Sequence, residues 1–359
     1  MTFEEARGQY PVLERYAYLN AGTMGPLSRA AAEAIETHAR RDLESGRGGR
    51  PYFEQVLSLR NGVRERIATL VGVSADRVAL TMSTTDSIHV VLAGLHLEPE
   101  DEVVTTDAEH PGLALPLHAS GARVVVAEVE QRPAGEALQA ILDHVTERTR
   151  LIAVSHVLWT TGHVIPVHEL RAETGLPVLV DGAQSAGTIP VAASGVDFYT
   201  VSCQKWLCGP DPLGALYVAE PEALRIGLPS YFAQESYEPN GSFVPRPGAQ
   251  RFDSGWLSVP SLAGLTAALD VVPEWRFARA AEASARCREA LAGKFDVVTE
   301  PHQATLVSFR PTGDAAEQAA AAYEAGVVIR DLPGKGMLRA SCGYWTSDED
   351  VERLVSSVT

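Results

Sequence analysis

Two side chains of complementary chemistry stand at the ends of separate β-rich runs. Lys205 lies in Ser202-Cys203-Gln204-Lys205-Trp206, after the apolar run Val196 to Val201 and before the loop Gly209-Pro210-Asp211-Pro212. Asp181 tips the run Pro177 to Val180 and is followed by Gly182-Ala183-Gln184. A lysine amine condenses with an aldehyde, and an acid beside a pyridine nitrogen keeps that nitrogen protonated. The pair therefore suits a pyridoxal 5'-phosphate (PLP) site. The same two residues also fit a surface lysine after a buried strand and an acid in an ordinary β-α turn.

Other residues bear on the choice. Ser83-Thr84-Thr85 stands between a strand and a helix, where hydroxyls and free backbone N–H groups bind phosphate and the helix dipole assists. An ordinary Ser/Thr N-cap has the same composition. No glycine-rich P-loop occurs, which disfavours a nucleoside triphosphate. His110, in Glu109-His110-Pro111-Gly112, sits on a strand-to-helix turn from which an imidazole could stack on an aromatic ring and move protons; a helix-start histidine reads the same way. Arg339, in Leu338-Arg339-Ala340-Ser341, offers a two-pronged donor for a carboxylate, or is a surface arginine on an edge strand. His156, His163 and His168 match no common ligand spacing, and no metal is expected.

The intervening pattern alternates strand and helix. Strands are predicted at Val78–Leu80, Glu102–Thr106, Ala122–Val129, Leu151–Val157, Pro177–Val180, Val196–Val201 and Gly214–Val218. Helices are predicted over 28–43, 53–71, up to Leu95, up to His118 and over 135–145, with Ser45 to Pro51 a loop. Strands this apolar imply a mostly parallel sheet covered on both faces, with ligands beyond the carboxyl ends of the strands. Thr84, Thr85, His110, His156, Asp181, Ser202 and Lys205 all fall there. After Pro260 comes a separate α+β layer: an Ala-rich helical stretch broken near Pro273, short strands, and a last helix at Asp348–Val358 opened by a capping box of Ser347 and Asp350.

Bulk properties bound the partners. A chain of 359 residues accommodates a large and a small domain. A net charge of −16 without basic clusters argues against nucleic acid. No apolar run reaches membrane-spanning length, and the N-terminus has no signal-peptide pattern. Four cysteines without zinc spacing predict a reducing, cytoplasmic setting.

Taken together, Asp181-Gly182-Ala183-Gln184, Ser202-x-Gln204-Lys205-Trp206 with Gly209-Pro210, Arg251-Phe252-Asp253-Ser254-Gly255 and Leu338-Arg339-Ala340-Ser341 resemble fold-type I PLP enzymes of the class V aminotransferase family. This is the group of cysteine desulfurases, isopenicillin N epimerase-like proteins and cysteine/cystine C–S lyases. The resemblance implies an α/β, PLP-dependent transferase-like fold. A large domain at 15–260 would carry a mostly parallel seven-stranded sheet, and a smaller α+β domain would occupy 261–359, with residues 1–14 packed against it. It implies Lys205 as the Schiff-base lysine, Asp181 on the pyridinium nitrogen, Gln184 near the ring hydroxyl and His110 stacked on the ring. Thr84, Thr85, Ser202 and Gln204 become phosphate contacts, His156 a further cofactor contact, and Arg339 and Asn20 substrate contacts. It also implies an amino-acid substrate and a homodimer.

Three departures from the family pattern stand out. Gln204 replaces the histidine that desulfurases place before the lysine, and Trp256 follows Gly255 where the family has threonine. Ile329 to Met337, where desulfurases carry a persulfide-forming cysteine, contains none. The missing cysteine, with a short Leu332-Pro333-Gly334 turn that resembles the C–S lyase and epimerase-like branch, favours β-elimination on a sulfur-containing amino acid. Trp256 leaves open the phosphate contact that the family draws from a second subunit. Epimerisation, transamination, desulfuration and a non-catalytic PLP carrier remain the alternatives.

Overall fold

The structure, a computed structural model, describes residues 1–359. Seven strands form the main sheet: β1 (Val78–Thr81), β2 (Glu102–Thr106), β3 (Arg123–Ala127), β4 (Thr149–Ser155), β5 (Val178–Asp181), β6 (Phe198–Ser202) and β7 (Gly214–Val218). Their spatial order is β1-β7-β6-β5-β4-β2-β3. All neighbours run parallel except β7, which lies antiparallel between β1 and β6. Leu151 to Val154 are all buried, as are Val178 to Val180, because helices cover both faces of the sheet.

Four further strands form an antiparallel sheet ordered β8-β9-β11-β10: β8 (Asp296–Val297), β9 (Leu306–Arg310), β10 (Arg330–Leu332) and β11 (Met337–Ser341). The N-terminal segment packs on this layer. Arg7 binds Asp350 at 2.7 Å, Ala17–Tyr18 pairs with Val327–Val328, and Asn20 bridges to Ser341.

Local signals explain most boundaries. The Ala-rich stretch divides into helices Val259–Asp270 and Arg276–Ala292 around Pro273, and Ser347 and Asp350 complete a reciprocal capping box. Two expectations shift. The loop expected through Pro51 ends earlier, because a helix spans Gly49–Val71 and holds Pro51 in its first turn, where a missing N–H costs nothing. The boundary expected at 260/261 cuts the start of helix Val259–Asp270, whose Leu262 and Leu265 are buried in the core beneath the main sheet.

Candidate active site

The carboxyl ends of the main strands, the N-terminal segment and the hairpin Arg330–Ser341 enclose a cavity of about 270 Å³. Lys205 follows β6 and Asp181 ends β5, so neighbouring strands deliver the amine and the acid to one place. Asp181 Oδ1 accepts from the Ala183 N–H (2.9 Å) and the Thr200 hydroxyl (3.3 Å); Oδ2 makes no hydrogen bond within the chain. The carboxylate is thus fixed by one oxygen and presents the other. Lys205 forms no ion pair, and burial pulls its ammonium down to about 8, against the attraction of Asp181.

The residues expected to contact a phosphate lie at the start of helix Thr84–Leu95. Ser83 caps it, its hydroxyl accepting from the Asp86 N–H at 3.0 Å. Thr84 and Thr85 keep free backbone N–H groups and free hydroxyls facing the cavity. Gly214 on β7 backs this turn, and a Cβ there would lie 2.9 Å from the Ser83 backbone. The Arg251-Phe252-Asp253-Ser254-Gly255 motif anchors the same corner. Asp253 is buried between Arg60 (2.9 Å) and Arg64 (2.8 Å) and also accepts from the Leu80 N–H, while the Ser254 hydroxyl donates to Asp86 at 2.6 Å. Ser202 donates to Gln204 Oε1 at 2.8 Å, and both line the cavity.

His110 caps helix Pro111–Ala119. Its Nδ1 accepts from the Gly112 N–H at 3.0 Å, so the neutral ring carries its proton on Nε2. Burial and, next, the Lys205 charge lower its pKa. Beneath it Glu109 ties two strand ends together, accepting from Thr106 on β2 (2.7 Å) and from the Ser155 hydroxyl on β4 (2.5 Å). Burial raises the Glu109 carboxyl to about 7, with the Ser155 and Thr106 hydrogen bonds opposing the shift.

Gln184 is committed at both ends of its amide. It donates to the Gly22 carbonyl (2.8 Å) and accepts from the Trp206 indole (3.0 Å), binding the N-terminal segment to the lysine turn. Gly25 closes the same contact: its N–H donates to the Gln204 carbonyl at 2.8 Å, and a Cβ there would collide with the Lys205 carbonyl.

Arg339 is 1% exposed and has no carboxylate partner. It donates to the Trp159 carbonyl (2.9 Å) and to the Thr23 hydroxyl (3.3 Å). Burial first, then Arg330, push its pKa below the usual range. Arg330, its cross-strand partner, also donates to Thr23 at 3.3 Å and also lacks an acidic partner. Three cationic side chains thus face one carboxylate, a field that favours anionic ligands.

Among the residues singled out from sequence, Thr84, Thr85, His110, Asp181, Gln184, Ser202, Gln204, Lys205 and Arg339 line this cavity. Asn20 and His156 do not. Asn20 Oδ1 is buried without a partner, and His156 bonds the Tyr199 hydroxyl at 2.9 Å. Gly22, Thr23, Ser83, Trp159, Ala183 and Arg330 complete the lining, and of these Trp159 and Arg330 were not expected there. Arg330 had a readable signal: pairing Leu332 with Met337 across the Leu332-Pro333-Gly334-Lys335-Gly336 turn sets it opposite Arg339. No three acidic, histidine or cysteine side chains gather as a metal cluster, and no helix is long and apolar enough to cross a membrane.

The fold and this site define a PLP enzyme, and the chain belongs to the class-V aminotransferase family, whose profile matches residues 19–354. It is 29% identical over 400 residues to isopenicillin N epimerase of Streptomyces clavuligerus, covering 99% of this chain and 97% of the relative. It is 25% identical over 392 residues to the cysteine desulfurase CsdA of Escherichia coli, covering 98% and 96%. Among solved structures it is similar to the cystine C–S lyase C-DES in complex with its reaction product cysteine persulfide, with a TM-score of 0.90, 28% identity and coverage of 98% and 99%. A C-DES variant with glycine covalently linked to the PLP cofactor superposes with a TM-score of 0.92 at 28% identity, covering 98% of each chain.

The cofactor is PLP, and the cavity fits it. The Asp181 Oδ2 left free within the chain suits a protonated ring nitrogen, the N-terminal amides and hydroxyls of Thr84 and Thr85 suit the phosphate, and Lys205 suits the aldehyde.

Proposed function

We propose that this protein catalyses β-elimination from a sulfur-containing amino acid of the cysteine or cystine type. The observation that carries this reading is the hairpin Arg330–Ser341. Where a desulfurase needs a mobile cysteine, it holds a tight turn without one, flanked by two unpaired arginines. The four cysteines elsewhere are all buried, and burial pushes Cys203 and Cys208 up to about 12, leaving them protonated thiols.

Bound PLP supplies an electron sink for the pair left at Cα when its proton departs. Asp181 holds the ring nitrogen in its protonated form. Arg339 binds the α-carboxylate, with its guanidinium held in place by Trp159 and Thr23. Arg330 suits a second carboxylate, which cystine has and cysteine lacks. The Lys205 amine, depressed to about 8, takes the Cα proton. The Cβ–S bond breaks and sulfur leaves with the bonding pair as a thiolate, which accepts a hydrogen bond from the His110 Nε2–H while the proton taken from Cα stays on Lys205 to neutralise it. Hydrolysis of the remaining fragment consumes one water and gives pyruvate and ammonia; from cystine the other product is cysteine persulfide.

A homodimer belongs to the same proposal. Trp256 (58% exposed) stacks on Tyr231 (56% exposed) two residues beyond the Ser254 that braces the phosphate cup. An aromatic surface there suits a second copy. A monomer by light scattering would remove this part alone.

The functional test is a panel of cysteine, cystine, S-alkyl cysteines, serine and alanine, with pyruvate and the cofactor absorbance followed together. Pyruvate from cystine or cysteine is expected. α-Proton exchange without pyruvate would transfer the assignment to epimerisation.

A further inference from the structure

The turn of the arginine hairpin is tied to the large domain. Lys335 Nζ lies 2.6 Å from Glu130 Oε2. Glu130 is only 9% exposed, Lys335 is its only basic partner, and its other oxygen is buried without a donor. The turn carrying Glu130 is itself fixed: the backbone N–H groups of Val129 and Glu130 donate to Asp107 Oδ1 at 2.8 and 3.0 Å. Asp107 stands three residues before His110. A second link crosses the same seam, where the Ala134 N–H donates to Glu300 Oε1 at 3.0 Å.

We infer that the Lys335–Glu130 pair positions the substrate-binding arginines. It pins the tip of the hairpin to the turn braced from the His110 loop, so that Arg330 and Arg339 stand over Lys205 before substrate arrives. The pair touches neither substrate nor cofactor; both residues are positioning residues. This rests on the reading of Arg339 and Arg330 as carboxylate binders. It adds that the region occupied by a mobile loop in desulfurases is here held still by charge. Preorganised donors lose less freedom on binding, so the pair acts on affinity. It is asymmetric: Lys335→Met leaves a buried carboxylate without its counter-charge, whereas Glu130→Gln removes the need for one.

The test uses holoenzyme in four forms: wild type, K335M, E130Q and K335M/E130Q. Hydrogen exchange of the Leu332–Met337 amides reports the tip directly and needs no substrate. Glycine, which has a carboxylate and no leaving group, reports the arginines through the spectral change it causes. Faster exchange in K335M and roughly tenfold weaker glycine binding are expected, with a smaller loss in E130Q and a double variant whose loss falls short of the sum. Wild-type exchange in K335M, unchanged glycine affinity, or additive losses would each overturn the inference. A wild-type spectrum indifferent to every amino acid would sink the functional reading instead, and hydrogen exchange alone would then decide the anchoring.

Discussion

Lys205 and Asp181 stand at the ends of neighbouring strands in a sheet buried on both faces, whereas Arg330 and Arg339 ride on a hairpin of the separate four-stranded sheet. The first pair is held by the covalent continuity of β5 and β6, by Thr200 and by the buried core. The second is held by hydrogen bonds to Thr23 and Trp159 and by the ion pair at its tip. The cofactor half is therefore rigid by construction, and the substrate half is rigid only as far as its polar links hold. In the proposed reaction the first half supplies the chemistry on the cofactor and the second the choice of substrate.

The largest effect tests the cofactor half. Lys205→Ala should lower pyruvate formation from cystine on the order of 10³-fold, measured at saturating substrate. Turnover at the wild-type rate would remove the proposed base. Asp253→Ala leaves Arg60 and Arg64 buried without their carboxylate, so urea unfolding of the holoenzyme should show a loss of about 3–5 kcal/mol. A loss below about 1 kcal/mol, the worth of a surface pair, would show that this corner is not anchored as described.

The substrate half should respond differently. Arg339→Gln should raise KM about 10- to 100-fold, the worth of a charge-assisted hydrogen-bonded pair, and leave the cofactor absorbance intact. A changed absorbance at unchanged KM would erase the distinction between the halves. Arg330→Gln should cost about tenfold in kcat/KM for cystine and much less for an S-alkyl cysteine, which has one carboxylate. Equal losses on both would deny Arg330 the second carboxylate.

The smallest effect concerns pH. Burial depresses the Lys205 ammonium to about 8, so capture of PLP by the cofactor-free chain should rise with pH around a midpoint near 8. Between that value and the ordinary lysine pKa the unfolded chain holds a proton that the folded chain has shed, so this group's contribution favours folding increasingly as pH rises. A capture midpoint at the ordinary lysine value would mean that the amine is not desolvated.

The two halves also differed in how far the sequence disclosed them. Lys205, Asp181 and the Thr84-Thr85 cup were legible because each sits where an apolar run ends, and run ends in a parallel sheet converge. Arg339 was legible through its short motif. Arg330 was legible only through the register of its hairpin, and its meeting with Thr23 was not, because that depends on the path of an N-terminal segment some 300 residues away in sequence. Trp159 escaped because a loop aromatic has no period to betray its direction; its carbonyl, not its ring, holds Arg339. Gln184 was found, but its amide proves to be spent on Gly22 and Trp206 as a tie between segments. The antiparallel β7 was also hidden, since a fully buried five-residue run reads the same in either direction.

The central claim is elimination without a protein persulfide. Cystine should be given to the holoenzyme, and pyruvate, alanine, ammonia and sulfane sulfur quantified in the same reaction. One pyruvate, one ammonia and one sulfane sulfur, as cysteine persulfide, are expected for each cystine consumed, with no alanine. Alanine in place of pyruvate, with sulfur retained on the protein, would contradict it.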